Sequence, residues 1–365
     1  MKPTRKIPEA KPLFLERMKK LLPDKTDFQS YLNILKTPPV KSIRCNELKI
    51  SPQELKEKLK ARGWQIKQPW KNNPEVMIVE GKIPTHTNLL KQTSDFSLTT
   101  SNKSVSKASL TKGGQIGNLQ DLEPGEVGRA LEHQLGYYYM QELASMLPVI
   151  ALEPKKNEKV LDLCAAPGSK TTQLSSAMQG TGMIVANEVS MGRLKILASN
   201  LEKCSAINTI ITRKEGFALC KRIEKYNPAL QFDKILVDAP CSGEGTLRSS
   251  YKTYLMWNVK TIKNLPKIQK GLVASALKIL KHNGVLIYST CTHAPEENEG
   301  VTDAILKEFK GKIKLEKISL PIKTREGITK WEDKKFSDEV KKCARVYPQD
   351  NDTEGFFIAK FRRLG

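Results

Sequence analysis

The pattern of apolar and polar residues in the second half of the chain predicts a regular alternation of strands and helices. Short runs rich in β-branched and aromatic residues are typical of buried strands, and the stretches between them have helical spacing. The strand-like runs are KVLDLC, GMIVANE, NTIITR, FDKILVDAP, GVLIYST and GFFIAKF, and the helix-like ones are KTTQLSSAMQ, MGRLKILASNLEKC, LPKIQKGLVASALKILK and NEGVTDAILKEF. This order predicts a mostly parallel sheet covered on both faces, with ligands bound beyond the carboxyl ends of its strands.

Three segments differ in pattern and composition. Residues 1–84 predict a small α/β unit with a well-marked helix, in which Ser51 is the N-cap and Glu54 completes a capping box. Residues 85–128 are rich in Ser, Thr and Lys and predict a flexible insertion or linker. Residues 129–365 hold the strand–helix alternation and form the larger unit.

Charge limits the choice of partners. The 365 residues include 61 Lys and Arg against 39 Asp and Glu, for a net charge of +22, and such a surface attracts phosphate backbones. A lysine-rich solvated surface would give the same number, so charge alone leaves nucleic-acid binding open. The chain has neither an unbroken apolar run long enough for a bilayer nor the apolar stretch of a secretory signal, so we expect a cytoplasmic protein without a membrane partner.

The seven cysteines are scattered and odd in number. No Cys-x-x-Cys occurs and the four histidines do not cluster with cysteines, which argues against a disulfide framework and against a zinc or other metal site. Most of these thiols, including Cys204, Cys220 and Cys343, are expected to be small buried hydrophobic residues.

A loop of small residues follows the first strand of the larger unit. The strand runs directly into AAPGSK and then into a helix, whose N-terminus offers free N–H groups and a partial positive charge. The second strand ends at Glu188, where a carboxylate can accept hydrogen bonds from a ribose diol, although a surface acid beside Arg193 would look the same. Together they favour an adenosine-containing ligand, either a nicotinamide cofactor or S-adenosylmethionine.

The fourth and fifth strands of the larger unit deliver reactive side chains to the same edge. FDKILVDAP is followed by Cys241 and contains Asp238, and GVLIYST is followed by Cys291. A thiolate that adds to carbon 6 of cytosine makes carbon 5 nucleophilic towards an electrophilic methyl group, and a protonated Asp238 would stabilise the developing charge at N3. A second thiol would assist the final loss of the first.

Several blocks in register resemble a known family. LDLCAAPGSKTTQL, VDAPCSGEGTLR and YSTCTHAPEENE closely resemble the RNA cytosine-5 methyltransferases of the Sun/Fmu type, and the similarity extends from about Glu132 to the C-terminus. SIRCNELKIS and RVYPQDNDTEGFFIAKFRR are similar to the family's N-terminal region and last strand. The resemblance implies a Rossmann-like, S-adenosylmethionine-dependent methyltransferase domain over 129–365, with a mostly parallel seven-stranded sheet, and an RNA-binding role for 1–84.

The resemblance also implies roles for single residues. Cys291 would be the nucleophile, Cys241 would promote release of the methylated product, and Asp238 would contact the target base. The residues expected to line the S-adenosylmethionine site are Cys164, Ala165, Ala166, Pro167, Gly168, Ser169, Lys170, Glu188, Arg193, Glu215 and Asp238.

Two positions depart from the family pattern. The family usually has Asp at the position of Glu215, whose extra methylene still permits an adenine contact. The family commonly has His after the proline that corresponds to Pro348, whereas this chain has Gln349. A role for a histidine at this position is therefore not expected here, and the proposed chemistry does not depend on it.

Alternatives are open both for the substrate and for the class of function. The short N-terminal unit resembles the compact tRNA-modifying members, so we expect a protein that acts on tRNA, with ribosomal RNA as the alternative substrate. We expect a monomer. A basic RNA-binding scaffold with little or no catalysis is the alternative of another class, and a protein or small-molecule methyltransferase fits the +22 charge and paired thiols less well. The sequence has DAPC where adenine and glutamine amino-methyltransferases have Asn/Asp-Pro-Pro-Tyr, which argues against that class of enzyme.

Overall fold

The computed structural model describes residues 10–83 and 119–364. We number the elements of these residues in chain order. The helices are α1 Pro12–Leu21, α2 Lys25–Leu35, α3 Pro52–Ala61, α4 Glu126–Arg129, α5 Leu131–Gln134, α6 Leu143–Leu152, α7 Ser169–Ala177, α8 Met191–Lys203, α9 Gly216–Tyr226, α10 Tyr251–Met256, α11 Val259–Lys278, α12 Glu299–Glu308 and α13 Pro348–Asn351. The strands are β1 Ser42–Cys45, β2 Trp64–Lys67, β3 Val76–Lys82, β4 Tyr138–Met140, β5 Lys159–Asp162, β6 Met183–Asn187, β7 Thr209–Thr212, β8 Phe232–Asp238, β9 Leu280–Thr290, β10 Ile313–Glu316, β11 Arg325–Glu326, β12 Lys330–Trp331, β13 Lys334–Lys335, β14 Ala344–Val346 and β15 Phe356–Arg363.

The large sheet has the predicted parallel centre. Its order is β11-β14-β15-β9-β8-β5-β6-β7, and the strands from β9 to β7 are parallel to one another. β15 is antiparallel to β9, and both β10 and β14 pair with β15. The described sheet thus has nine strands where seven were expected. The difference comes from β11 and β14, which have two and three residues and are too short to give a strand pattern.

Helices cover both faces of this sheet, as the continuous apolar strands predicted. Ile235 and Leu236 are neighbours in β8 and belong to different buried clusters, because successive residues of a strand point to opposite faces. One cluster includes Leu272 of α11, and the other includes Leu147 of α6.

The small sheet extends across the predicted unit boundary. Its order is β2-β3-β1-β4, and β4 pairs antiparallel with β1 although it follows residue 129, where the sequence predicted the larger unit to begin. The predicted linker is also partly packed, since Leu122 and Val127 are buried in the core of the small sheet. A three-residue strand carries too little pattern to be assigned from sequence. Residues 85–118 of the predicted insertion lie outside the described part.

One buried arginine joins the small sheet to the large one. Arg44 of β1 donates to Ser169 O at 2.8 Å and to Thr172 Oγ1 at 2.9 Å, both in the first turn of α7. Burial lowers the pKa of Arg44 to about 10. The small unit therefore holds the helix that starts at the end of the small-residue loop. No helix of residues 10–83 and 119–364 is long and apolar enough to cross a membrane.

Candidate active site

Two thiols meet at the carboxyl edge of the large sheet. β8 and β9 are parallel neighbours, with Asp238 opposite Ser289, so the segments that follow them emerge side by side. The loop after β8 returns towards β9 because Gly245 N donates to Cys291 O at 2.8 Å. This arrangement sets Cys241 Sγ 3.2 Å from Cys291 Sγ, as the sequence predicted for the two thiols.

The Cys241 thiol has a perturbed pKa. The hydrogen bond to Cys291, followed by burial, raises the pKa of the Cys241 thiol well above its usual range. Either sulfur can be the donor of the hydrogen bond between the two residues. The thiolate is the nucleophilic form of cysteine, so the raised pKa makes Cys241 a poor candidate for a nucleophile.

A buried glutamate fixes the loop that carries Cys241. Glu297 Oε2 accepts from Ser242 N at 3.0 Å and from Gln269 Nε2 at 2.8 Å. Burial raises the pKa of Glu297 to about 7. Ser242 Oγ also lies 2.7 Å from Thr292 Oγ1, next to the second thiol. Sequence reasoning missed this glutamate, because its run of acidic residues was read only as part of a family motif.

Asp238 forms an ion pair with Lys170. Asp238 Oδ2 lies 2.7 Å from Lys170 Nζ, and Oδ1 accepts from Ser289 Oγ at 2.7 Å. Lys170 Nζ also donates to Ser145 Oγ at 3.0 Å and lies 5.3 Å from the centre of the Phe356 ring. Both oxygens of Asp238 act as acceptors here. Lys170 is thus a group with protons to donate at this position, and a donor role for Asp238 towards a base stays a prediction.

A cavity of about 250 Å³ opens between the small-residue loop and the end of β8. Its lining residues are Ser145, Asp162, Cys164, Ala165, Ala166, Pro167, Ser169, Lys170 and Asp238. Gly168 has φ of +102°, and a Cβ there would lie 3.0 Å from Leu197 Cδ1, so the loop sits directly on α8. Six of the loop residues predicted for the cofactor, Cys164, Ala165, Ala166, Pro167, Ser169 and Lys170, are therefore gathered around one space.

Glu188 and Arg193 lie against the same loop. The carboxylate of Glu188 is buried, accepts from Ser190 N at 2.8 Å and pairs with Arg193 Nη1 at 3.2 Å. Arg193 also donates to Ala166 O. The carboxylate of Glu188 is among the charges that raise the pKa of Cys164, after burial itself. The end of β6 and the loop thus form one continuous surface.

Glu215 has a structural partner. Its exposed carboxylate caps α9 by accepting from Ala218 N at 2.8 Å. It does not line the 250 Å³ cavity. A contact between Glu215 and a cofactor stays a prediction.

Asp162 is a candidate binding residue that sequence reasoning missed. It is buried and lines the cavity, and its Oδ2 accepts from Thr171 Oγ1 at 2.7 Å. Its Oδ1 is buried without a partner in the described chain. Burial raises the pKa of Asp162 to about 7. An unsatisfied acceptor beside a floor of small residues fits a ligand that carries an N–H donor, and an aspartate at a strand end just before the loop was the available signal.

The residue that departs from the family pattern after Pro348 has a structural partner. Gln349, which replaces the family's histidine, donates to Asp27 Oδ1 at 3.0 Å and so ties α13 to α2. Within the described ranges no group of three His, Cys, Asp or Glu side chains could hold a metal ion.

The fold and the site define a Rossmann-like methyltransferase domain joined to a small α/β unit. A methyltransferase homolog protein from Pyrococcus horikoshii has this fold, with a TM-score of 0.69 and 28% identity over 97% of this chain and 100% of that one. NSun6 from Pyrococcus horikoshii, solved with SFG, shares the fold at a TM-score of 0.73 and 24% identity over 97% and 98% of the two chains.

The chain belongs to the family described as 16S rRNA methyltransferase RsmB/F, whose model matches residues 149–362. A model of the N-terminal domain of 16S rRNA methyltransferase RsmF matches residues 11–89. The predicted resemblance to the Sun/Fmu type is thereby confirmed.

Curated relatives carry two different substrate names. The chain is 44% identical over 236 residues to the tRNA (cytosine(49)-C(5))-methyltransferase of Pyrococcus abyssi. The aligned region covers 65% of this chain and 73% of that protein. It is 34% identical to the ribosomal RNA small subunit methyltransferase F of Vibrio cholerae, over 100% of this chain and 65% of that protein. The chain thus spans about two thirds of the length of the methyltransferase F relatives.

Proposed function

We propose that this protein is an S-adenosylmethionine-dependent RNA cytosine-C5 methyltransferase that works through a covalent bond between Cys291 and carbon 6 of the target base. The observation that carries the proposal is the 3.2 Å contact between Cys241 Sγ and Cys291 Sγ. A thiol pair at this edge, beside the small-residue loop, fits a reaction that must first activate carbon 5 and then release the product.

The proposed reaction uses each of the two thiols once. Cys291 Sγ adds to carbon 6, and the electron pair of the carbon 5–carbon 6 double bond becomes available at carbon 5. Lys170 Nζ, held 2.7 Å from Asp238, is the donor placed to stabilise the negative charge that develops on the base. After methylation, Cys241 donates its S–H proton to the departing Cys291 sulfur, and the Cys241 sulfur takes up the carbon 5 proton in its place. The double bond between carbon 5 and carbon 6 re-forms and the carbon–sulfur bond breaks, which releases the product.

The residues that would hold the cofactor are the loop from Cys164 to Lys170, Asp162 and Glu188. S-adenosylmethionine supplies an electrophilic methyl group when bound. Asp162 Oδ1 is the unsatisfied buried acceptor, and Glu188 stands at the end of β6, where a ribose diol can donate to it. Ala165 and Ala166 keep the backbone open for close approach.

We propose tRNA as the substrate. The support is the 44% identity to a relative named for methylation of tRNA cytosine 49, over 65% of this chain. Ribosomal RNA is the second candidate, because the model of the RsmF N-terminal domain matches residues 11–89 and the methyltransferase F relatives cover the chain throughout.

A trapping experiment tests the mechanism and identifies the substrate together. Cys241→Ala removes the donor for release, so we expect that protein, with S-adenosylmethionine and total cellular RNA, to form a complex that resists denaturation. Sequencing the trapped RNA then identifies the substrate. The matched control is Cys241→Ala/Cys291→Ala, in which the complex must be absent.

Two results would contradict the proposal. A complex that persists in the double variant would exclude Cys291 as the attachment point. No complex with any RNA, in protein shown to bind S-adenosylmethionine, would remove Cys241 from the release step and favour the RNA-binding scaffold.

A further inference from the structure

A groove lined by lysines lies between the helices on one face of the large sheet. It has a volume of about 610 Å³, within the range of about 300–1,000 Å³ that holds ligands in proteins. Its basic residues are Lys263, Lys267, Lys270, Lys307, Lys334 and Lys335. We call it the lysine groove. The lysines come from α11, α12 and β13, which are far apart in sequence.

The carboxylates of the lysine groove leave most of its positive charge uncompensated. Glu296 accepts from Arg17 at 2.8 Å and from Trp331 Nε1 at 3.1 Å, so it is engaged outside the groove. Asp303 pairs with Lys307 at 2.6 Å, and Lys270 pairs with Glu308 at 3.0 Å. Lys263, Lys267, Lys334 and Lys335 form no ion pair within the described ranges.

The lysine groove opens at the same edge of the sheet as the two thiols. α12 follows β9, so its first turns stand at the carboxyl edge of that strand. α11 precedes β9 and runs back along it, so its first half lies at the same edge. The walls are also shared with the active site: Gln269 of α11 donates to Pro240 O at 2.9 Å, and Glu296 in the groove precedes Glu297, which binds Ser242 N.

The floor of the lysine groove suits a nucleotide strand rather than a bare anion. Phe336 is half-buried in the lining beside Pro266, Val301 and Ala304. An aromatic and aliphatic floor under a rim of ammonium groups is the combination that binds single-stranded nucleic acid, because bases and riboses contact the floor while phosphates meet the cations.

From this geometry we propose that the lysine groove binds the ribose-phosphate backbone of the single-stranded RNA segment next to the target cytosine. This rests on the proposed function. The contact is independent of sequence, since Lys–phosphate contacts position a strand and carry no base information. Its role is to hold the strand so that one base reaches Cys291.

A charge-neutralising variant with a matched control tests the proposal. The groove variant is Lys263→Gln/Lys267→Gln/Lys334→Gln. The control is Lys278→Gln/Lys310→Gln/Lys312→Gln, which removes three exposed lysines at the far ends of α11 and α12. Binding of a short fluorescein-labelled single-stranded RNA is measured by anisotropy at several KCl concentrations, which needs no catalysis. Methyl transfer to total tRNA gives KM and kcat.

The expected result is a change in salt dependence. Each lost phosphate contact reduces the slope of log K against log[salt] by about 0.7 for single strands, so the groove variant should lose about 2 from this slope. Its KM for RNA should rise while kcat at saturating RNA stays within about twofold, and the control should keep the wild-type slope. Equal slopes in both variants would overturn the proposal and leave an acidic protein as the occupant to be sought. Failure of the wild type to methylate RNA would instead contradict the proposed function, because the binding slopes are measured separately.

Discussion

Cys241 Sγ and Cys291 Sγ lie 3.2 Å apart although 50 residues separate them in the chain. The contact exists because the loop after β8 is tied to the backbone of Cys291 through Gly245. Only one of two touching thiols can act as the nucleophile while the other holds its proton. The hydrogen bond to Cys291, followed by burial, raises the pKa of Cys241, and the proposed function gives the attack to Cys291.

Cys291→Ala should abolish methyl transfer while RNA binding persists. The variant removes the sulfur that adds to carbon 6, and no other described thiol lies within hydrogen-bond distance of Cys241 to replace it. We expect a loss of at least about 10⁴-fold in the rate of methyl transfer from labelled S-adenosylmethionine. RNA binding by anisotropy should stay within about twofold of wild type. Cys343→Ala, which removes a buried thiol elsewhere, is the control. Turnover in Cys291→Ala comparable to that of the control would exclude the nucleophile assignment.

The Lys170–Asp238 pair should show strong coupling in a double-mutant cycle. Lys170→Met leaves Asp238 without its ammonium partner at 2.7 Å in a mostly buried site, which should lower the free energy of unfolding by about 3 kcal/mol. Asp238→Asn should cost a similar amount. The double variant should be less destabilised than the sum of the two, because neither charge is then left alone. Urea unfolding measures this.

Activity separates a role of this pair in catalysis from a role in stability. If Lys170 stabilises charge on the base, all three variants should lose at least about 100-fold in kcat, including the double variant in which neither charge is left alone. A double variant that regains both stability and activity would mean that the pair only holds the structure.

The sequence predicted the edge of the sheet better than the contacts made there. Apolar runs locate β5, β6, β8 and β9. The carboxyl ends of parallel strands lie at one edge of a sheet, and this geometry brings Asp238, Cys241 and Cys291 together. The pattern does not say which partner a side chain selects. Asp238 pairs with Lys170, which had been assigned to the cofactor, and the carboxylate of Glu215 serves as a helix cap.

Short elements were the other limit of prediction from sequence. β4 has three residues, and its pairing with β1 moved part of the chain after residue 129 into the small sheet. In the candidate site, Asp162 was missed for a related reason, because a sequence pattern does not show which buried polar atoms lack a partner. Its position in the LDLC run was visible, but its unpartnered Oδ1 depends on what surrounds the folded loop.

Glu297→Gln should change how stability depends on pH. Burial raises the pKa of Glu297 to about 7 from an ordinary value of 4.5, so between these values the folded protein holds a proton that the unfolded chain has lost. Wild-type stability should therefore fall as pH rises from 4.5 to 7, by about 3 kcal/mol from this group. Gln can still accept from Ser242 N and carries no charge to bury.

The measurement is the free energy of unfolding of wild type and variant at several pH values from 4 to about 8. Glu297→Gln should gain about 3 kcal/mol relative to wild type over this range. Glu224→Gln, at an exposed position on α9, is the control and should show no such trend. A difference between Glu297→Gln and wild type that is constant with pH would show that the pKa of Glu297 is the same in the folded protein and in the unfolded chain.

Gly245→Ala should separate the two thiols. A Cβ at Gly245 would lie 2.3 Å from Gly355 O and 2.9 Å from Cys291 O, and both neighbours are backbone atoms that cannot rotate away. The loop that carries Cys241 must therefore move off β9 and β15. We expect a loss of at least about 100-fold in kcat, since a displacement of about 1 Å is enough for a loss of this size. The free energy of unfolding should fall by about 1–3 kcal/mol.

Gly271→Ala is the matched control for this substitution. Gly271 lies in α11, and a Cβ there would meet nothing within 4 Å. Alanine in a helix is favoured over glycine by about 0.5–1 kcal/mol, so this variant should be slightly more stable and fully active.

Gly245→Ala should also accumulate the covalent RNA adduct. The adduct needs only Cys291 to attack, as in Cys241→Ala, and the loop movement takes Cys241 away from the departing sulfur. An active Gly245→Ala that releases its product normally would mean that the 3.2 Å contact is not needed for turnover.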